Sequence, residues 1–389
     1  MLLALVPLVF APGIARDSYG VPHITAPTWA GAFELAGYAV AQDRLWQMEN
    51  SRRLARGLMA EVFGPTFLAS DKDVLRGAYS TSELSTQIRK LPPKIQTALA
   101  AYAKGVNRFI SEGNLPKGYG DTGFIPTPWA PEDSAAIAIR MLQTFGRGGA
   151  GEIRNMALLG YMQTQPALKG HEMEVLIDVA WFNDARARTT INDEDVKSKI
   201  NFSAPTVATT TAHLALLPKA GLLELLPGLR VVLREESTRV AANVSAPFKS
   251  GSYCIVAAPK RSASGVPLLL SGPQMGFRQP SIVHEMSISA PGIRAVGMDI
   301  PGVPGIIVGH TDRLAWGLTT GVADTEDIFF AKQEGSNYLF GNQPKPISKV
   351  TFEVKVTGGE TVNVEQLRTD WGPIVLSLRS GTVFMRRSS

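Results

Sequence analysis

The sequence predicts an α+β fold, with a mainly helical first part, a polar middle stretch and a β-rich last third. Three observations predict it. Apolar residues recur at helical spacing through most of the first 165 residues. From about residue 186 to 250 the chain turns charged, then Ser/Thr-rich, and only Leu214–Leu233 is apolar. After Gly251, short β-rich runs are separated by Gly, Pro or Asp turns. Helices and strands segregated along the chain suggest α+β layers, not a doubly wound parallel sheet.

Each element can be placed in order. Residues 13–25, GIARDSYGVPHIT, read as a strand, a Gly-containing turn and a second strand. Thr28 is an N-cap for a helix carrying Leu35, Tyr38, Leu45, Met48 and Leu54, with Gly37 and Gly57 as candidate breaks or ends. A second helix runs from about Pro92 to Ile110, with Pro in its first turn and Gly113 beyond its end. A third begins near Pro131 and carries Ile137, Ile139, Met141 and Leu142; a fourth follows from Glu152. Residues 186–251 read as a linker or excisable insert. Beyond it, Tyr253–Ala257, Pro267–Leu270, Ile282–Ile288, Ile293–Met298, Gly305–Val308 and Asp327–Ala331 read as strands. Val350–Val356 and Thr361–Leu367 bracket Gly358-Gly359 as a hairpin.

Composition narrows the function. The 389 residues are 44% hydrophobic and 19% charged, the balance of a soluble globular chain. A net charge of +5 with no Lys/Arg run longer than a pair sets nucleic-acid binding aside. Cys254 is the one cysteine, so intrachain disulfides and cysteine-built zinc sites are excluded. Five scattered histidines disfavour a His-rich metal site. Met1–Phe10 is apolar but too short to span a bilayer. It reads as a leader remnant, like a signal-peptide h-region without its basic flank, or as a buried first strand; the first reading puts the protein in the periplasm or outside the cell.

Common catalytic signatures fail in instructive ways. No serine has Gly two residues away on both sides, as a nucleophile elbow requires. Gly146, Gly148 and Gly151 satisfy the spacing of a dinucleotide fingerprint but follow a predicted helix, where the fingerprint needs a strand. What stands out is Lys249-Ser250-Gly251-Ser252-Tyr253-Cys254-Ile255-Val256, where a Gly-Ser step closes the polar stretch and opens the first strand of the β-rich part. A cut between Gly251 and Ser252 would make Ser252 N-terminal. Its own amine, with an ordinary pKa of about 7.7–8.0, could then serve as base for its hydroxyl. The bland alternative is a Gly-Ser turn before an ordinary strand. Cys254, on the same strand face as Ser252, is expected to be a small buried residue.

The flanking segments carry a family resemblance. Arg16-Asp17-Ser18-Tyr19-Gly20-Val21-Pro22-His23-Ile24, Gly37-Tyr38, Ala41-Gln42-Asp43-Arg44-Leu45-Trp46-Gln47-Met48-Glu49 and Arg52-Arg53-Leu54-Ala55-Arg56-Gly57 resemble the opening of the penicillin acylase family. Ser262-Ala263-Ser264-Gly265, Gly272-Pro273-Gln274, Pro304-Gly305, Gly309-His310, Ala315-Trp316-Gly317 and Asp324 through Asp327-Ile328-Phe329 continue it in order. The resemblance covers nearly everything but the insert.

It implies an N-terminal-nucleophile hydrolase: a four-layer αββα sandwich, matured by autocatalytic removal of a spacer. Residues 1–12 would be a leader remnant, 13–185 the helical small chain, 186–251 the spacer and 252–389 the start of the large chain. Small and large chains would stay associated after cleavage. Ser252 is the implied nucleophile. Gln274 matches a position whose backbone holds the substrate amide, and Thr320 one whose backbone N–H is an oxyanion donor. Glu152, Asp324, the carbonyl of Glu326 and Asp327 match a structural Ca²⁺ site. Met275, Val308 and Leu318, with Phe145 nearby, match the acyl pocket, where aliphatic side chains favour a flexible acyl chain. The implied substrates are linear N-acyl amides: β-lactam side-chain amides, N-acyl homoserine lactones or other N-acylated amines.

Two departures stand out. Tyr253 occupies a position where many relatives carry Asn. The chain after Ser252 is also shorter than in relatives, so the sandwich is expected to be incomplete, without a second oxyanion donor, an arginine near the nucleophile and further Ca²⁺ ligands. A non-catalytic truncated remnant acting by association is therefore the alternative; a third reading is an amidase of a different N-terminal-nucleophile family.

Overall fold

A computed structural model describes residues 13–145, 151–180, 251–274, 279–319 and 325–388. The expected leader, most of the insert with its Asp193-Glu194-Asp195 cluster, Met275, Thr320 and Asp324 lie outside these residues. The described residues divide into two compact units, one drawn from Met1–Arg147, Pro247–Val322 and Lys349–Gln366, the other from Gly148–Ala246, Ala323–Ser348 and Leu367–Ser389.

The first unit opens with strands β1 (Gly13–Arg16) and β2 (Pro22–Thr25). The turn between them is set by Asp17, whose Oδ1 accepts from the Tyr19 and Val21 amides at 2.9 and 3.0 Å. Helix α1 (Trp29–Arg56) begins where Thr28 Oγ1 accepts from the Gly31 amide and ends at Gly57, whose φ of 65° is the left-handed conformation a helix stop requires. Gly37 does not break it. A Cβ there would fall on the Tyr102 carbonyl of α5 (Pro93–Ser111), and one on Gly105 would fall on the Glu34 carbonyl. The two glycines let the helix backbones touch, and Ala36, Ala39, Val40, Tyr102 and Val106 close the core around them.

Short helices α2 (Ala60–Phe63), α3 (Leu68–Leu75), α4 (Thr81–Lys90) and α6 (Lys117–Thr122) were not foreseen from the sequence. Helices α2, α3 and α6 are too short to show a helical period, and α4 carries only Leu84 and Ile88 as large apolar residues, though its Ser80/Glu83 capping box was readable. Helix α7 (Pro131–Phe145) completes the helical layer.

Strands β3 (Gly251–Ala257) and β4 (Leu268–Gln274) form a two-stranded antiparallel ribbon. Strands β5 (His284–Ala290), β6 (Ile293–Ile300), β7 (Val303–Thr311) and β8 (Ala315–Trp316) join β1 and β2 in a six-stranded sheet of order β1-β2-β5-β6-β7-β8. Only β2–β5 is parallel, pairing His23 with Ser287. Ile24, Met286 and Ile288 of this sheet pack into the core of α1 and α5. The hairpin of β12 (Ser348–Val354) and β13 (Val362–Thr369) docks Val354, Val356 and Val364 on Ala60 and Leu75.

In the second unit, α8 (Glu152–Gln163) packs Ile153, Met156 and Ala157 against Ile328 and Phe384. Its end and α9 (Glu172–Ala180) share Leu159, Met162 and Leu176. Here β9 (Glu326–Glu334) lies between β10 (Asn337–Phe340), which continues into β11 (Gln343–Pro346), and β15 (Thr382–Ser388), which pairs with β14 (Gly372–Ser377). Strands segregated from helices, paired almost throughout antiparallel, make the fold α+β. No described helix is long and apolar enough to cross a membrane.

Candidate functional site

Ser252 is exposed near the start of β3, opposite Pro273, and the Gly251–Ser252 peptide bond faces the Pro273-Gln274 end of β4. Pro273 has no N–H, so the ladder opposite Ser252 lacks one donor. Gln274 is exposed and pairs with Gly251. The six-stranded sheet reaches the ribbon through Gly317, where a Cβ would fall on Ser271 of β4. Just before it, Trp316 is fixed by its indole N–H donating to the Ile307 carbonyl at 2.8 Å. The chain leaving Gly317 toward Thr320 thus starts against β4, three residues from Gln274.

Cys254 corrects an expectation: it is exposed, not buried. It does share a strand face with Ser252, but β3 pairs only with β4, and among the described residues little covers the ribbon. Of the acyl-pocket matches, Val308 is half-buried in β7 and Phe145 is half-buried at the end of α7, while Leu318 is 53% exposed.

The implied metal ligands fall in the second unit. Glu152 opens α8 and Asp327 is exposed on β9, opposite Arg387. Glu326 is buried, with its carboxylate 3.9 Å from the Arg386 guanidinium. Among the described residues no three His, Cys, Asp or Glu side chains form a group able to hold a metal ion. The oxygen donors suit Ca²⁺ in kind, but the described ones are too few to enclose it without Asp324.

Three polar constellations escaped the sequence reading, all in the first unit. In the first, His23 bonds Ser287 Oγ through Nδ1 at 2.8 Å and Asp17 Oδ2 through Nε2 at 3.2 Å. This looks like a catalytic triad, but Ser287 lies mid-sheet between β2 and β6, where backbone N–H groups are taken up by the ladders and none can serve an oxyanion. The hydrogen bond from His23 holds the Asp17 carboxyl below its ordinary range. The arrangement pins β2 to β5.

In the second, buried His284 bridges Asp299 through Nδ1 at 2.9 Å and Asp43 through Nε2 at 3.0 Å, and Arg16 donates to Asp43 at 2.9 Å. Burial works against the charged imidazole, but bonds to both carboxylates outweigh it and push the His284 pKa up to about 9. Both ring nitrogens therefore donate. Burial pushes the fully enclosed Asp299 carboxyl up, whereas His284 and Arg16 hold Asp43 down despite burial. An Asp inside an apolar strand run, Ile293–Ile300, was the available signal.

In the third, Glu49 accepts from Arg52 at 2.5 Å and Arg53 at 2.6 Å. Arg52 and Arg56 reach Asp133 at the start of α7, and Arg53 reaches Glu61 of α2. Tyr119 donates to Glu49 at 3.3 Å, and burial followed by that charge pushes the Tyr119 phenol far up.

A sequence-family model described as penicillin amidase matches residues 13–387. The chain belongs to that family. Penicillin G acylase of Escherichia coli is 30% identical over 379 residues, covering 90% of this chain and 44% of that protein. Penicillin acylase 2 proenzyme of Pseudomonas sp. (strain SE83) is 27% identical over 93% of this chain and 43% of its own length. Acyl-homoserine lactone acylase QuiP of Pseudomonas aeruginosa is 28% identical over 94% and 40%. The chain thus spans less than half the length of these curated relatives. A solved chain of the thermostable penicillin G acylase from Alcaligenes faecalis, tetragonal form, is 31% identical over 46% of this chain and 95% of that one, with a TM-score of 0.42. In this family member the motif from Glu49 to Arg56 ties α1 to α2 and α7 through its ion pairs with Glu61 and Asp133.

Proposed function

We propose that this chain is the precursor of an acylase that hydrolyses linear N-acyl amides, matured by scission between Gly251 and Ser252. One observation carries the reading: Ser252 is exposed at the head of β3, beside the Pro273-Gln274 end of β4, directly after the polar stretch. In the first step water hydrolyses the Gly251–Ser252 peptide bond, leaving a carboxylate on Gly251 and a free α-amine on Ser252. That amine takes the proton of its own hydroxyl while Oγ attacks the acyl carbonyl. The backbone N–H of Thr320 stabilises the oxyanion, and Gln274 holds the amide. The C–N bond breaks, the amine leaves with a proton, and water releases the acid from the Ser252 ester. The names of the relatives support penicillin-type side-chain amides and N-acyl homoserine lactones as the substrates to try.

The family resemblance supports a four-layer αββα architecture and a small and a large chain that stay together after cleavage. A Ca²⁺ ion held through Glu152, Asp324, the Glu326 carbonyl and Asp327 would act as a clamp, supplying no chemistry to the acyl transfer. Added Ca²⁺ should raise the melting temperature and a chelator lower it, with Asp327→Asn blunting both; a chelator-insensitive transition would remove the clamp.

Intact mass and N-terminal sequencing test the nucleophile. The purified protein should yield a chain beginning Ser252-Tyr253-Cys254, and Ser252→Ala should stay uncut and inactive on both substrate classes. Maturation of Ser252→Ala like the parent would sink the assignment. A parent cut at Ser252 yet silent on every N-acyl amide would favour a role in association.

A further inference from the structure

We infer that Tyr253 is the positioning residue for the nucleophile, its ring lying over Gly272 to fix the face and register at which β3 presents Ser252. This rests on the reading of Ser252 as nucleophile. In the ribbon, Tyr253 is the direct partner of Gly272. A Cβ placed on Gly272 would stand 2.5 Å from both Cζ and Oη of Tyr253 and 2.8 Å from Cε1, so the ring occupies the space a side chain at 272 would take. An aromatic ring over a bare strand glycine covers a backbone that would otherwise face water, and it locks that pair in place.

The position of this pair explains its leverage. Toward the scissile bond the remaining pairs are Ser252 with Pro273 and Gly251 with Gln274. Pro273 brings no N–H to the ladder, and Gly251 brings no side chain to a cross-strand contact. The first pair able to hold that end by side-chain packing is therefore Tyr253 with Gly272. A two-stranded ribbon is marginal by itself. A slip of one residue would move every side chain to the opposite face and turn Ser252 away from its present side. Because alternate residues face opposite ways, the ring works on the face away from Ser252 and leaves the nucleophile's face open. Tyr253 is still 45% exposed, so its packing is spent on its own strand partner.

The test uses the full chain and four variants: Tyr253→Ala, Tyr253→Phe, Gly272→Ala and the double Tyr253→Ala/Gly272→Ala. The rate of Gly251–Ser252 scission is followed by intact mass. Amide exchange across 252–257 and 268–274 is measured in a Ser252→Ala background that holds the chain uncut. Tyr253→Ala should slow scission about fivefold, the scale of one lost cross-strand pair, and speed exchange in the ribbon. Tyr253→Phe should restore both to within about twofold, since the ring makes the contact. Gly272→Ala should be slow alone, yet the double variant no slower than Tyr253→Ala, because the clash leaves with the ring. Phe no better than Ala, or additive losses in the double variant, would overturn the inference. If the parent is never cut at Ser252, the nucleophile reading fails by itself; unchanged exchange in Tyr253→Ala would then separately overturn the positioning role.

Discussion

Two regions of the first unit treat water in opposite ways. On α1, Glu49, Arg52 and Arg53 are at most 5% exposed, and their charges meet one another, Asp133 or Glu61. Along the ribbon, Ile255, Val256, Leu268 and Leu270 are 61, 70, 52 and 55% exposed. Charge is buried where the chain is scaffold, and apolar surface is open where the nucleophile is proposed. One of the motifs that carry the family resemblance, Glu49 with Arg52 and Arg53, forms this buried network. The proposed chemistry sits on a two-stranded ribbon that little covers among the described residues.

The sharpest way to break this contrast is to remove the centre of the buried network. Glu49→Ala strands Arg52 and Arg53 in a dry interior with part of their partnership gone. Loss of one partner from a buried ion pair costs about 3–5 kcal/mol. Urea unfolding of parent and variant should show a loss on that scale. A loss below about 1 kcal/mol, the range of exposed pairs, would mean that water already reaches the network.

A smaller effect is expected at His284, whose charge is held by Asp299 and Asp43, with Arg16 behind Asp43. Its folded pKa of about 9 stands above the ordinary 6.5, so the native state binds the proton more tightly than the unfolded chain. The stabilisation is complete below about pH 6.5 and is lost as pH rises through about 9. The burial that pushes Asp299 up works against it, which leaves on the order of 2 kcal/mol. Unfolding free energies measured from pH 6 to 10 should fall in the parent and stay flatter in His284→Gln, with about 6 and 10 as convenient limits around those values. Parallel curves would show that the pair of carboxylates does not hold the proton.

How far the sequence disclosed all this follows from the physics of each signal. Long helices announced themselves because α1, α5 and α7 repeat their apolar face over several turns, and Thr28 and Gly57 marked the ends of α1. The short helices α2, α3 and α6 could not, since one or two turns show no period. Strands after residue 251 were legible from their runs and turns. Strands β10 and β11, of four residues each, are too short to stand out, whereas Ile374-Val375-Leu376 of β14 and Thr382-Val383-Phe384 of β15 were available signals. Ser252 and Gln274 were placed by motif order, and the structure brings their strands side by side. The His284–Asp299–Asp43 bridge was invisible because its members lie on α1, β5 and β6, with no local spacing to connect them. Burial of Cys254 was misjudged for a related reason: alternation tells which face a residue shares, not whether anything covers that face.

The smallest expected effect is also the most discriminating for the contrast. Ile255→Thr and Val256→Thr keep the β-branched shape that suits a strand while replacing an ethyl and a methyl group, respectively, with a hydroxyl. At positions as open as these, a substitution should change stability by no more than about 0.5 kcal/mol. At covered positions the same changes would bury an unpartnered hydroxyl and cost about 1–3 kcal/mol. Thermal and urea unfolding of both variants distinguish the two cases. A cost in the upper range would mean that other polypeptide lies over the ribbon in solution. The difference between the two regions would then be one of which chain covers them, not of how they meet water.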